Sequence, residues 1–381
     1  MTRKLRIPRP LDIYRYMRMA RNKERLIRVS MPDRIGHLCL EIDALLKETF
    51  LSGETPERYI LPDIGERFVN QHIINYFRKY VRVEPTYSPL RFIRHWGDPW
   101  HLVLPTEHYA VAIEQTAKAF AVNAAWAPRP PLFTLSDEDC DFVAEYLRRQ
   151  ELGAEDWFVC MHARTGGYSP RDEHLHTYRN VEIGSFDKAV EAIVARGGWC
   201  IRVGDSSMPP YRPHPKVIDY ALSSDKSARL DVALLASCRF LLGSSSGMCN
   251  LALMFGRPSV VTNNAPAAAS FSVGPDDISL PQRVFDIAGR EVPFSEILKE
   301  KRADLRMAKE LVDAGITHLP NTAEEIEEAV VEMLDRLDGV AVYTDDDRKR
   351  QAEFRSFFRE GHYSYGSAAS IGRDFLRRHL R

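Results

Sequence analysis

The sequence contains few cysteines and no long apolar run, and each shortage excludes a class of protein. Its 6 cysteines are scattered and none forms a CxxC pair, so we predict no zinc site and a reducing compartment. No stretch reaches the roughly 18 consecutive apolar residues of a membrane-spanning helix, and the first residues lack the apolar core of a secretion signal. We therefore expect a cytoplasmic protein.

An excess of charge of one sign is also missing. The formal net charge is −1, so no overall field attracts nucleic acid, and we expect no nucleic-acid partner. The basic residues are unevenly spread, however, because residues 1–28 hold ten Lys or Arg and only two acids. We favour a solvated arm for this stretch; the alternative is weak docking on an anionic membrane surface.

The familiar phosphate and metal motifs are absent as well. Neither GxGxxG nor GxxxxGK[ST] occurs, which excludes the dinucleotide fingerprint and the Walker A loop. The HLH at 174–176 lacks the spacing of a zinc helix, and we interpret the acid runs 276–277 and 345–347 as solvated loop charge. We predict no metal and no cofactor.

Short apolar strands alternate with helical patterns from residue 157 onward. These strands are apolar at every position rather than at every second one, as is typical of a parallel sheet covered by helices on both faces. The pattern predicts a doubly wound α/β domain. A similar but less regular pattern in the first half predicts a second, smaller α/β unit.

The length of 381 residues favours more than one domain. We predict a basic arm over 1–24, an N-terminal α/β domain over 25–130 and a C-terminal Rossmann-like domain over 131–342. The hinge is placed near Ser136, which is predicted to cap the helix that follows it. Residues 343–381 are predicted to form terminal helices that pack across both domains.

Polar residues follow the strand WFVCM directly. His162 and Arg164 come first, and Gly166 and Gly167 come next. An arginine at a strand end can hold a phosphate with two hydrogen bonds, and glycines allow close backbone approach. The alternative is a bridge from the arginine to a carboxylate that ties the loop down.

A serine-rich turn, GSSSG, stands between a later predicted strand and helix. Such a turn opens a helix N-terminus, where unpaired N–H groups favour an anion. The hydroxyls of Ser244, Ser245 and Ser246 would add donors, with Gly247 closing the turn. An ordinary capped turn is the alternative, and we favour the anion site.

Two more charged residues lie in apolar surroundings. Arg202 in WCIRVGD is costly to bury alone, so we expect it to reach a carboxylate or a ligand beside Gly204 and Asp205. Asp231, on a predicted helix, either pairs with an arginine, accepts hydrogen bonds from the ribose or base of a nucleotide, or is an exposed helix acid.

Together these motifs resemble a family of bacterial glycosyltransferases of unassigned specificity that is distantly similar to the GT-B fucosyltransferase superfamily. The matching stretches cover roughly residues 25 to 265, in the order DRIGHL, FVCMHAR, TYRN, GWCIRVGD, IDYA, RLDVALLASCRFLLGSSSGM and RPSVVTNN. The resemblance implies a GT-B-like fold with two Rossmann-like domains facing a central cleft. It also implies transfer of a sugar from a nucleotide-sugar donor, with a GDP-sugar favoured, to a glycan or glycoconjugate acceptor.

The resemblance also implies roles for individual residues. The arginine of the HxR motif contacts the donor diphosphate, which corresponds to Arg164, and the serine-rich loop binds the β-phosphate. The early loop, here Gly36-His37, lines the cleft, and Arg179-Asn180 in TYRN hold either the HxR loop or the donor. The fucosyltransferase motif usually has two adjacent basic residues and an acid, whereas this chain has Ala163 and Thr165, which leaves sugars other than fucose open.

The mechanism implied is metal-independent, with arginines and turn amides neutralising the departing diphosphate. If the transfer is inverting, a base must take the acceptor proton, and the candidates are His37, Glu41, Asp172 and Glu173. Glu41 is equally compatible with a surface helix position. A sugar-nucleotide epimerase or hydrolase of the same fold, or a non-catalytic nucleotide- or sugar-binding protein, are the alternatives.

Overall fold

The computed structural model divides the chain into two compact units, Met1–Ala112 and Ile113–Arg381, which are described separately. Most of the basic stretch 1–28, for which an arm or a membrane contact is predicted, lies outside the described residues. The boundary assigns residues 113–130, which we had predicted to belong to the first domain, to the second unit. The described residues are 14, 18, 21–22, 24–27, 29, 31–85, 108–109, 116–127, 129–168, 170–265, 274–362 and 364–380.

The first unit contains a parallel sheet in the order β3-β2-β1-β4. Apolar side chains of α1, among them Leu38, Ile42 and Leu45, are buried at helical spacing, which gives the unit its core. Its elements are β1 (Arg25–Ile27), α1 (Ile35–Leu51), β2 (Tyr59–Asp63), α2 (His72–Phe77), β3 (Arg82–Pro85) and β4 (His108–Tyr109).

Two local expectations for this unit need correction. Helix α1 already begins at Ile35, so Gly36 and His37 lie in its first turn rather than in a loop. The apolar pattern over 66–81 predicted one long helix, but only α2 forms there. Asn70 accounts for the late start, because its side-chain oxygen accepts the N–H of Ile73 (3.1 Å) and opens a new helix.

The second unit contains a seven-stranded parallel sheet and a small antiparallel sheet. The large sheet has the order β14-β10-β9-β8-β5-β6-β7, and the small one has the order β12-β11-β13. Its strands are β5 (Phe158–His162), β6 (Trp199–Arg202), β7 (Val217–Ile218), β8 (Leu241–Ser244), β9 (Ser259–Asn264), β10 (Ile278–Pro281), β11 (Arg283–Phe285), β12 (Glu291–Val292), β13 (Thr317–Leu319) and β14 (Ser370–Ile371).

Helices join and cover these strands. The predicted cap of α4 is confirmed, because the Ser136 hydroxyl accepts the N–H of Asp139 (3.2 Å). No helix among the described residues combines the length and apolarity needed to span a bilayer. The helices are α3 (Thr116–Trp126), α4 (Asp137–Arg149), α5 (Pro170–His176), α6 (Asp187–Ala195), α7 (Ala228–Ser237), α8 (Met248–Met254), α9 (Phe294–Ile297), α10 (Ala308–Asp313), α11 (Ala323–Leu337), α12 (Asp345–Ser356) and α13 (Arg373–His379).

Strand β5 shows why the sheet strands are apolar throughout. Val159 and Met161 join the core that contains Val190 of α6 and Val330 of α11. Cys160 points to the other face, where its thiol donates to the carbonyl of Leu234 in α7 (3.6 Å). Both faces are therefore covered, and the predicted α/β class with two parallel-sheet units is confirmed.

The charged tail contributes more to the core than its composition indicated. Phe354 and Phe375 are buried, and the Phe354 ring packs edge-on against that of Phe294 with centroids 5.2 Å apart. Strand β14 pairs with β10 and extends the main sheet. The tail is thus an integral part of the second unit.

Two acids interpreted as solvated loop charge are in fact buried and partnered. The carboxylate of Asp277 accepts the N–H groups of Ser259 (2.7 Å) and Gly274 (2.9 Å). Asp347 lies in the first turn of α12, where it accepts from Nε and Nη2 of Arg377, both at 2.7 Å. This bidentate partner is the first reason that the pKa of Asp347 lies well below its ordinary value.

The substitution Asp347→Asn tests the docking of the tail. We expect it to lower the free energy of unfolding by about 2–3 kcal/mol, because the 3% exposed carboxylate of Asp347 loses its bidentate, charge-assisted hydrogen bonds to Arg377. The matched control is Asp345→Asn in the same helix turn, whose side chain is 90% exposed and should contribute at most ~0.5 kcal/mol.

The same pair of proteins also gives a pH test by urea denaturation. A depressed carboxyl pKa adds stability above the ordinary value of 3.8, and that stability is lost as the pH falls further. The gap between wild type and Asp347→Asn should therefore narrow below about pH 4. The prediction is contradicted if the difference in free energy of unfolding between wild type and Asp347→Asn is constant from pH 7 to pH 3. It is also contradicted if Asp345→Asn shows the same difference from wild type.

Candidate functional site at the ends of two neighbouring strands

Strands β5 and β8 are neighbours in the parallel sheet, so the residues that follow them meet at one edge. His162 is in register with Gly243. Just beyond, the backbone N–H of Arg164 donates to the hydroxyl of Ser244 (2.8 Å). The HxR motif and the serine-rich turn are therefore in direct contact, at the edge where open α/β sheets bind ligands.

The hydroxyls of the three serines are buried and contact other groups of the protein, and their role as donors to a ligand stays a prediction. Ser244 and Ser245 have 0% exposure and Ser246 has 7%. Ser245 donates to the side-chain oxygen of Asn264 (2.9 Å), and Ser246 Oγ accepts the N–H of Met248 (3.4 Å).

The backbone of the same turn keeps donor capacity. The N–H groups of Ser246 and Gly247 make no hydrogen bond with the described residues. These groups precede α8, whose dipole favours negative charge at this end. The capacity of the turn for an anion therefore lies in its amides.

The side chain of Arg164 is positioned by three groups of the loop that follows β5. Its Nη1 donates to the carbonyl of His176 (3.2 Å) and to the side-chain oxygen of Asn180. Its Nη2 lies 3.6 Å from the carboxylate of Glu173. The arginine–carboxylate bridge considered as an alternative is therefore present, but it is longer than a direct hydrogen bond.

A second guanidinium lies against the turn. Nε and Nη2 of Arg179 both donate to the carbonyl of Ser245, at 3.1 and 2.6 Å. Asn180 contacts Arg164 with its oxygen and donates to Glu173 with its nitrogen. Asn180 therefore contacts the arginine of the HxR loop, whereas Arg179 contacts the serine-rich turn; a contact of either residue with the donor stays a prediction. We call Arg164, Glu173, Arg179, Asn180 and residues 244–247 the strand-end site.

His162 lies beneath this site and links two strands. It is buried, and its Nδ1 is 3.2 Å from the carbonyl of Val203, just after β6. Burial lowers the pKa of His162 to about 4, so the ring is neutral near pH 7 and Nδ1–H donates to that carbonyl. The neighbouring Gly204 has φ +151, and a Cβ there would meet the sulfur of Met208 closer than 3.0 Å, so the position requires glycine.

The remaining candidates of this unit have partners outside the strand-end site. Arg202 is 2% exposed and donates to Asp219 (2.7 Å), so it reaches a carboxylate. Asp231 accepts from Lys226 (2.7 Å) rather than from an arginine. Asp205 accepts the N–H of Ser207 (2.9 Å) in a local turn and is half-buried. Ligand roles for these three residues stay predictions.

In the first unit, two residues proposed separately as bases form a pair. Nδ1 of His37 lies 2.8 Å from Oε1 of Glu41, one helical turn away. The carboxylate is 2% exposed and the imidazole 24%. A buried carboxylate on Nδ1 favours the tautomer whose Nε2 carries the lone pair. Of the other candidates, the side chain of Asp172 lies outside the described residues, and Glu173 belongs to the strand-end site.

Sequence reasoning missed two residues that support the site. Asp219 partners Arg202, and an arginine in an apolar strand did signal the need for a carboxylate, without indicating which one. Asn264 accepts the hydrogen bond of the Ser245 hydroxyl. The feature of the sequence that could have indicated it is the pair of asparagines at the end of the apolar strand SVVT. Among the described residues, no cluster of His, Cys, Asp and Glu is arranged to hold a metal ion.

No protein-family model matches the chain, and no curated protein sequence matches it. Among solved structures, it is similar to a glycosyl transferase family 9 protein from Veillonella parvula DSM 2008, with 11% identity, a TM-score of 0.49 and coverage of 83% of this chain and 97% of that one.

Two heptosyltransferase structures are also similar to the chain. The dodecameric iron-containing heptosyltransferase TibC, of E. coli H10407 and in complex with ADP-D-beta-D-heptose, has 12% identity and a TM-score of 0.41, with 82% of this chain and 76% of that one covered. The E. coli ADP-heptose LPS heptosyltransferase II has 12% identity and a TM-score of 0.38, with 68% and 90% covered. At these values the similarities establish neither a family nor an activity for this chain.

Proposed function

We propose that this chain is a glycosyltransferase that moves a sugar from a nucleotide-sugar donor to a glycan or glycoconjugate acceptor, with inversion and without a metal. The observation that carries the proposal is the hydrogen bond from the Arg164 N–H to the Ser244 hydroxyl (2.8 Å). It joins an arginine loop and an amide-lined turn at one edge of a parallel sheet, where nucleotides bind in folds of this class.

The donor diphosphate is proposed to bind at the strand-end site. Its oxygens would accept from the guanidinium of Arg164 and from the N–H groups of Ser246 and Gly247, with Arg179 adding positive charge behind the turn. These groups are held by other contacts before the ligand arrives, so they need little rearrangement as charge develops on the leaving oxygen. Fixed cationic groups of this kind take the role that a metal ion has in other transferases.

His37 is proposed as the base and Glu41 as the residue that orients it. The bond from the anomeric carbon to the diphosphate oxygen breaks, and a bond from that carbon to the acceptor oxygen forms. The acceptor proton passes to Nε2 of His37, and the nucleoside diphosphate leaves with the electron pair. The carboxylate of Glu41, 2.8 Å from Nδ1, stabilises the imidazolium that results.

The substitution Arg164→Ala tests the diphosphate role. It should weaken binding of the preferred nucleoside diphosphate by ~1.5–3 kcal/mol, the loss expected for charge-assisted hydrogen bonds. Calorimetry with ADP, GDP, UDP, CDP and dTDP measures this and identifies the base, and GDP is favoured by the motif resemblance. Arg148→Ala, at an exposed helix position, is the control, and equal affinities for the two variants would refute the role.

The metal-free mechanism is tested by chelation. Because the proposed counter-charges are guanidinium groups, EDTA should leave the initial rate of sugar transfer unchanged within about twofold. Complete loss of activity that manganese or magnesium restores would show a metal requirement. Release of nucleoside diphosphate without any acceptor dependence would instead favour the hydrolase or epimerase alternative.

The pair in α1 is tested by His37→Asn and Glu41→Gln. Both should leave nucleoside diphosphate affinity within about twofold of wild type, while kcat falls by roughly 100-fold or more for His37→Asn and less for Glu41→Gln. Steady-state kinetics beside calorimetry separates the two effects. A kcat for His37→Asn near that of wild type would exclude this residue as the base.

A further inference from the structure

Glu173 occupies a position that only a glycine at 166 allows. A Cβ on Gly166 would lie closer than 3.0 Å to the carboxyl carbon and both oxygens of Glu173. The backbone of Gly166 is not in the left-handed region, so the requirement at this position is space for the carboxylate rather than an unusual conformation. Because Gly166 has no side chain, the carboxylate of Glu173 has room to lie next to the loop that carries Arg164.

Only one of the two carboxylate oxygens of Glu173 accepts a hydrogen bond from the described residues. Its Oε1 accepts from the side-chain nitrogen of Asn180. Its Oε2 is buried and makes no hydrogen bond with the described residues, and it lies 3.6 Å from Nη2 of Arg164. A buried carboxylate oxygen left in a loose ion pair is poorly compensated for its lost hydration.

Glu173 brings a negative charge to the strand-end site, next to Arg164. Arg164 also donates to the carbonyl of His176 and to the amide oxygen of Asn180, and Arg179 donates to the carbonyl of Ser245. Neutral acceptors orient a guanidinium without neutralising it. A carboxylate also cancels its charge and repels a second anion.

We propose that Glu173 is an internal anion that occupies Arg164 in the empty site and competes with the donor diphosphate for it. The inference rests on the proposed function, since it concerns the same ligand. An arriving diphosphate displaces the carboxylate from Nη2 of Arg164, while Asn180 and His176 keep the guanidinium in position. Glu173 thereby lowers the affinity for nucleoside diphosphates and assists release of the product, so it is a positioning residue of the site rather than its base.

Two independent variants test the competition. Glu173→Gln removes the charge and keeps the shape and an acceptor for Asn180, whereas Gly166→Ala keeps the charge and forces the carboxylate away. Each should bind nucleoside diphosphate and inorganic pyrophosphate about three- to tenfold more tightly than wild type, because a like charge is removed from the anion. The double variant should bind no more than about twofold more tightly than Glu173→Gln, since both changes remove one interaction.

Matched controls lie at the opposite end of β5. Glu155→Gln removes an exposed carboxylate before the strand, and Gly153→Ala adds a Cβ whose nearest neighbour is at an ordinary 3.5 Å. Calorimetry should give wild-type affinity for both controls within about twofold. Circular dichroism and thermal unfolding of each variant establish that it is folded.

The outcomes separate this inference from the proposed function. Wild-type binding that is lost in Arg164→Ala but unchanged or weaker in Glu173→Gln and Gly166→Ala overturns the competition and leaves the function standing. Tighter binding in both variants with a non-additive double variant supports the competition. Absence of diphosphate binding by wild type and by both variants overturns both proposals.

Discussion

The pairing of β5 with β8 is the constraint on which the strand-end site depends. It brings two segments 80 residues apart into hydrogen-bonding contact, with the Arg164 N–H on the Ser244 hydroxyl. The carbonyl of Arg164 is used as well, since it accepts the N–H of Val181 (3.0 Å). Because both backbone groups of Arg164 are occupied, its side chain starts from a fixed point, and the loop that carries Asn180 is attached to the same residue.

Guanidinium groups held at a sheet edge lose part of their hydration, and oxygen atoms of the surrounding protein replace some of the lost hydrogen bonds. Arg164 and Arg179 are partly buried, and each is stabilised by carbonyl or amide oxygens rather than by water alone. Such acceptors preserve positive charge at the turn, which suits a site for an anion. The carboxylate of Glu173, 3.6 Å from Nη2 of Arg164, is the element that adjusts how strongly that charge acts on a ligand.

Much of the local structure could be predicted because its causes are local. The cap of α4 depends on the hydroxyl of Ser136, three residues before the N–H of Asp139 that it accepts. The apolar strands predicted a sheet covered on both faces, as β5 shows. The long helix predicted over 66–81 failed for a local reason too, since Asn70 starts a new helix within it.

The sequence by itself determined the α/β class and the edge at which Arg164 and the serine turn lie, because strand periodicity and chain direction place residues at strand ends. Only the tertiary structure decided which partner each polar group has. The side-chain partners that it brings together are Ser245 and Asn264, Arg202 and Asp219, Asp347 and Arg377, and His37 and Glu41. Apart from the last pair, these contacts depend on how separate elements pack, and a buried polar group takes whichever partner that packing brings within hydrogen-bonding distance.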